Sequence, residues 1–157
     1  MDGDVDGELA ALKRATTLNP NHALIANLAA TVNLFAGHLE EADRHLSHVR
    51  RLSPDDPAAF LFLTALGCVR LLRGDADAAL ALCTESAAVN PDSDFTYWVL
   101  GSAAGHARSE RRAMEAFAQL TRLDPGTPLA LPRLLVFQNA ERRTRLVAGL
   151  RRAGLAR

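Results

Sequence analysis

His45 and His48 stand three residues apart with Glu41 one turn before His45, a spacing that could turn two imidazoles and a carboxylate toward one metal ion. The same stretch carries Ala42, Leu46 and Val49 at helical spacing. An amphipathic helix would bury those three and leave Glu41, Arg44, His45 and His48 to solvent or to a groove edge, so no metal site is expected. Cys68 and Cys83 are the two cysteines; neither stands in a Cys/His nucleophile context, and both are read as small buried hydrophobes without a disulfide. No Gly-x-Ser-x-Gly elbow and no phosphate loop occurs. Gly101-x-x-x-Gly105 falls inside a helix, where close approach of a second helix is its expected use. Arg142, Arg143, Arg145, Arg151 and Arg152 spread over several helical faces with no aromatic residue interleaved for base stacking. The expectation is a chain with no catalytic residue and no cofactor, not an enzyme, and with neither nucleic acid nor membrane as its partner.

The elements behind these residues are helical. Hydrophobic content of 48% with only 5% aromatic points to thin Ala/Leu packing between helices. Abundant Ala, Leu, Arg and Glu with few Val and Ile argue against a sheet. A chain of 157 residues suits one domain with a real core. No apolar run approaches the ~18–20 residues a membrane span requires, and the acidic Met1-Asp2-Gly3-Asp4 start does not read as a targeting peptide, so a cytoplasmic setting is expected. The formal net charge is zero, yet residues 127–157 hold seven arginines against the single acid Glu141, and residues 1–126 carry the balancing acidic excess. That polarity could orient self-association or docking.

Repetition organises the chain. Asn19-Pro20, Ser53-Pro54, Asn90-Pro91 and Asp124-Pro125 set prolines 34, 37 and 34 residues apart, and Gly3, Gly37, Gly74 and Arg108 keep the same intervals. A period of 34 in a helical chain means stacked helix-turn-helix units. Within each unit a small residue precedes a large one by four positions and a proline by twelve: Ala42, Leu46 and Pro54; Ala79, Cys83 and Pro91; Ala113, Phe117 and Pro125; with Glu8, Leu12 and Pro20 as a degenerate first copy. The small residue lets two antiparallel helices approach, the bulky one fills the gap, and proline stops the second helix. Leu63-x-x-Leu66-Gly67 and Tyr97-x-x-Leu100-Gly101 take equivalent places upstream. In these positions the chain resembles the tetratricopeptide repeat.

The resemblance implies an all-α fold, a right-handed superhelix of antiparallel helix pairs. We read a half repeat at 1–22, repeats at 23–56, 57–92 and 93–126, and a C-terminal capping helix pair at 127–157. Helices are expected at about 5–18, 23–36, 39–52, 57–73, 76–89, 93–107, 110–122, 128–138 and 140–153. Asp56-Pro57 and Thr127-Pro128 look like starts, as do Asp75 and Ser109. Gly37 and Gly74 look like left-handed stops, and Arg108 should make its turn differently. The first unit lacks its first helix, as though the chain began halfway through a repeat. Toward the other end, the run from Arg122 to Ala130, then Leu135-Val136-Phe137, then Arg145-Leu146-Val147-Ala148-Gly149-Leu150-Arg151-Arg152-Ala153-Gly154-Leu155 resembles the closing segment of tetratricopeptide regions that follow bacterial adenylate/guanylate cyclase domains or winged-helix regulators.

Such a superhelix binds along the inner surface lined by its first helices. The candidate groove residues are Leu24, Asn27, Thr31, Leu34 and Phe35; then Leu61, Thr64, Cys68, Leu71 and Leu72; then Phe95, Trp98, Ser102 and His106. Trp98, Phe95, Leu61 and Phe35 should be the anchors, because large side chains bury the most area. Family members that clamp a peptide carboxylate do so with lysines and asparagines; here only Asn27 fits, and the sole lysine, Lys13, lies on a second helix. The resemblance implies a protein-protein interaction or scaffolding module that takes a protein, a peptide or an adjoining domain in an apolar groove, as part of bacterial signalling. The alternatives are a detached C-terminal regulatory part of a nucleotide cyclase or DNA-binding regulator, and a self-associating homodimer module.

Overall fold

The computed structural model describes residues 5–19, 23–52, 56–125 and 140–154. Eight helices run in order: α1 (Val5–Leu18), α2 (Ala23–Ala36), α3 (Leu39–Leu52), α4 (Ala59–Leu72), α5 (Ala76–Val89), α6 (Asp94–His106), α7 (Glu110–Leu123) and α8 (Ala140–Arg152), with no strand among the described residues. α2 pairs with α3, α4 with α5 and α6 with α7 as hairpins, and each pair packs on the next. α2, α4 and α6 also touch in sequence, forming an inner row, while α3, α5 and α7 stand outside it.

Composition decides which helix goes where. α3 buries Ala42, Leu46 and Val49 and turns Glu40, Glu41, Arg44, Arg50 and Arg51 outward. α7 does the same with Ala113, Ala116 and Leu120. The inner α4 and α6 are apolar nearly all round, each with ten buried residues, as a helix enclosed by neighbours must be. Close approach within a hairpin depends on small residues: a Cβ on Gly67 of α4 would press on the Cys83 sulfur and the Ala79 carbonyl of α5. Between pairs, Asp43 of α3 receives Arg70 at 2.9 Å and Arg73 at 2.7 Å from the end of α4. These are charge-assisted bonds on a carboxylate only 13% exposed.

Three sequence expectations change. Phe117 does not fill the α6–α7 gap; it is 44% exposed on the outer side of α7, and Ala116 and Leu120 face inward instead. Arg108 does not make a different turn. It takes a positive φ of 55°, as Gly37 and Gly74 do at 95° and 98°. All three turns close with the same bond, His38 N–H to Asn33 O, Asp75 N–H to Arg70 O and Ser109 N–H to Ala104 O, the six-to-one pattern of a left-handed helix stop. The backbone geometry of the repeat thus overrides the side chain's preference, at a cost of about 1 kcal/mol. Arg108→Gly should therefore raise the melting temperature, corresponding to a gain of roughly 1 kcal/mol. A lower melting temperature would mean that the arginine side chain contributes more than its backbone strain removes.

α4 begins two residues later than expected. The Asp56 side chain accepts the Ala58 amide at 2.8 Å, and Pro57 lies in that turn ahead of the helix. Asp75 caps α5 by accepting from the Ala78 amide, whereas Ser109 precedes α7 without a side-chain cap bond. The helix expected at 128–138, and with it Thr127-Pro128, lies outside the described residues.

Candidate functional site

Shifting α2 by 37 residues onto α4, and α4 by 34 onto α6, lines up four rows across the inner face. From the N-terminal to the C-terminal ends of the helices they are Leu24, Leu61 and Phe95; Asn27, Thr64 and Trp98; Thr31, Cys68 and Ser102; and Phe35, Leu72 and His106. The structure treats the rows differently.

The first row is the open one. Leu61 is 45% exposed and Phe95 is half-buried against the core; the side chain of Leu24 lies outside the described ones. The second row is mostly interior. Trp98 is 7% exposed and belongs to the hydrophobic core. Thr64 does not face a groove: its hydroxyl lies 2.7 Å from both Ser86 and Thr96. Ser86 in turn donates to the Phe60 carbonyl, so a buried hydroxyl cluster ties α4, α5 and α6 together. Asn27 is half-buried, and its Oδ1 is buried without a hydrogen-bond partner.

In the third row Thr31 donates to the Asn27 carbonyl at 2.8 Å. Cys68 is fully buried, and burial pushes its thiol up to about 12. Burial, with a smaller contribution from Cys68, raises the Cys83 thiol as well. Both are free, neutral thiols buried in the core, which denies them the thiolate that nucleophilic chemistry needs. Leu34 and Leu71 are fully buried, and Phe35 and Leu72 pack on the core from its edge.

The fourth row and Ser102 carry the main feature of the site. α8 lies on the inner side of α6 and reaches α4. Ser102 Oγ donates to the Leu146 carbonyl at 2.8 Å. His106 Nε2–H donates to the Arg145 carbonyl at 2.9 Å, while its Nδ1 accepts from Arg152 at 2.9 Å, a pair of partners that fits the neutral Nε2–H tautomer. Arg145 Nε donates to the Leu71 carbonyl at 2.9 Å, and Arg142 donates to the Gly37 carbonyl at 2.6 Å. Leu146 and Leu150 are fully buried in the common core. At the crossing, backbone meets backbone: a Cβ on Gly105 would run into Gly149, and one on Gly149 would run into Ser102 and His106.

Sequence reasoning named the receiving residues Ser102 and His106 but missed what they receive. The signal was present. Arg142, Arg145, Leu146, Gly149 and Leu150 recur at i, i+3, i+4, i+7 and i+8, which is one helix face. Counting the arginines as a scattered basic cluster hid that Arg142 and Arg145 share the face of the leucines. The second helix of the expected capping pair is α8, lying across the inner surface; the first falls outside the described residues.

The histidine cluster on α3 is an outer surface. Glu41 pairs with Arg44, and burial, followed by the Arg44 charge, holds His45 below the usual imidazole value. Among the described residues no three His, Cys, Asp or Glu side chains are grouped to hold a metal.

The fold has counterparts among solved structures. The structure of MamA superposes with a TM-score of 0.72 at 21% identity, over 96% of this chain and 87% of that one. YrrB, described as a tetratricopeptide protein with an unusual peptide-binding site, superposes with a TM-score of 0.66 at 19% identity, over 96% of this chain and 76% of that one. The fold is that of a tetratricopeptide solenoid. No protein-family model and no curated protein sequence matches the chain. Within the solenoid, the 34- and 37-residue units are the helix hairpins α2–α3, α4–α5 and α6–α7, and α8 is an additional helix on their inner face. No described helix is long and apolar enough to cross a membrane.

Proposed function

We propose that the chain is a protein-interaction module whose inner surface holds a helix presented by a partner protein or an adjoining domain. One observation carries this reading: the inner face of α6, with the end of α4, already seats an amphipathic helix through Ser102, His106 and the Leu71 carbonyl. The peptide-binding site ascribed to YrrB is in keeping with it. The open first row, with Leu61 exposed and Phe95 half-buried, supplies further apolar surface along the same face.

The setting we infer is regulatory and cytoplasmic, within a bacterial signalling protein. Its support is the likeness of the Gly149-Leu150-Arg151-Arg152 ending to regions behind cyclase and winged-helix domains. The test of the binding reading is selection of a displayed library of amphipathic helical peptides on the full chain. Selected peptides should lose roughly tenfold or more in affinity on Leu61→Ala, a substitution at an exposed side chain with little effect on stability. Peptides indifferent to Leu61→Ala, Phe35→Ala and Ser102→Ala alike would move the interface off the inner face. Self-association is the competing reading, favoured by Met114 and Phe117 standing exposed on α7. Light scattering that reports a monomer at every concentration removes it.

A further inference from the structure

We propose that α8 is an internal ligand of this groove, and that the partner it yields to is a basic amphipathic helix of the same chemistry. That chemistry is two arginines one turn apart, a leucine beside the second, a glycine or comparably small residue three positions on, and a second leucine. The proposal rests on the inner-face reading above and adds what the face selects and how it is kept closed.

Each feature of α8 answers a feature of the groove. The C-terminal end of a helix carries a partial negative charge, and the inner helices α2, α4 and α6 pack in a row. Arg142 meets the carbonyl at the end of α2, Arg145 the one at the end of α4, and Arg152 meets His106 at the end of α6. The groove edge is therefore a ladder of acceptors that a row of guanidinium groups can read. The crossing at Gly105 admits only a backbone that carries no side chain there, which Gly149 supplies. Leu146 and Leu150 flank that glycine and fill the space beside it.

The seat is built for exchange. Three of the thirteen α8 residues, Leu146, Gly149 and Leu150, are buried, as many as in the outer helix α7 and against ten of the fourteen in α4. A helix held by so few buried contacts opens more readily than the inner helices α4 and α6 on which it lies. It also leaves Leu61 exposed, so a longer helix in trans could cover surface that α8 does not.

The test uses the full chain and a fluorescently labelled synthetic peptide of residues 140–153. Gly149→Leu in the chain drives a side chain into Ser102 and should unseat α8 without altering the receiving surface. The peptide should then bind this variant about tenfold or more tightly than wild type, because the internal competitor has been removed. The same peptide carrying Gly149→Leu should bind neither. If Gly149→Leu fails to fold by circular dichroism, Arg145→Ala takes its place, since it removes the Leu71 contact and leaves the crossing intact. Equal affinity for wild type and variant, or no binding to either at millimolar peptide, overturns the proposal. Library-selected helices that bind at Leu61 equally well in both chains would overturn this inference and leave the interaction reading standing. The absence of any inner-face binder would remove both.

Discussion

Trp98→Ala is expected to cost the protein roughly 3–5 kcal/mol, the range for truncating a buried aromatic side chain to a methyl group. Trp98 is 7% exposed and packs in the same core as Leu100, Leu146 and Leu150. For a chain of this size such a loss corresponds to a drop in melting temperature on the order of 10 °C. The same position read from the sequence is a groove anchor, whose removal would weaken binding and leave the helices untouched. The structure makes it part of what holds the groove in shape. A melting temperature within about 2 °C of wild type would return the ring to the surface. Leu61, exposed in the first row, is the cleaner probe of binding.

Why the sequence distinguished the helices so well and the inner face so poorly has a physical answer. Helix ends are written locally. Gly37 and Gly74 supply positive φ, Asp75 supplies a cap, and α1, α2, α3 and α5 fall at 5–18, 23–36, 39–52 and 76–89 as the periodicity implied. Arg108 shows the limit of that logic: the turn it occupies is fixed by the repeat, so a residue with no local reason to adopt positive φ adopts it. Inner-face positions are decided at longer range. Thr64 and Trp98 stand at repeat positions that face inward, yet both are buried in the folded chain. Thr64 in particular is claimed by Ser86 and Thr96, 22 and 32 residues away, a pairing that no local pattern announces. Docking of α8 spans further still, with Arg142 reaching Gly37 over 105 residues.

Gly105→Ala is the second large effect, and its sign is diagnostic. In an exposed helix interior this change stabilises by about 1 kcal/mol, since alanine restricts the unfolded chain and favours helix. Here the new methyl would enter the Gly149 carbonyl and crowd the Ala153 amide, so α8 must shift or lift. The expected result in urea denaturation is a net loss of ~1–3 kcal/mol, the cost of overpacking a tight contact. A stabilised variant would mean that the crossing is looser than the backbone contact implies.

Hydrogen exchange across the full chain tests the central claim most directly. If α8 is seated on the inner face, the amides of residues 143–152 should be protected in wild type, to a lesser degree than those of α4 and α6. In Gly149→Leu they should exchange freely, with residues 102–106 of α6 losing protection alongside them and α4–α5 unchanged. Wild-type α8 amides exchanging as fast as an unfolded peptide would contradict the account, because the groove would then be empty and its seat for a helix unsupported.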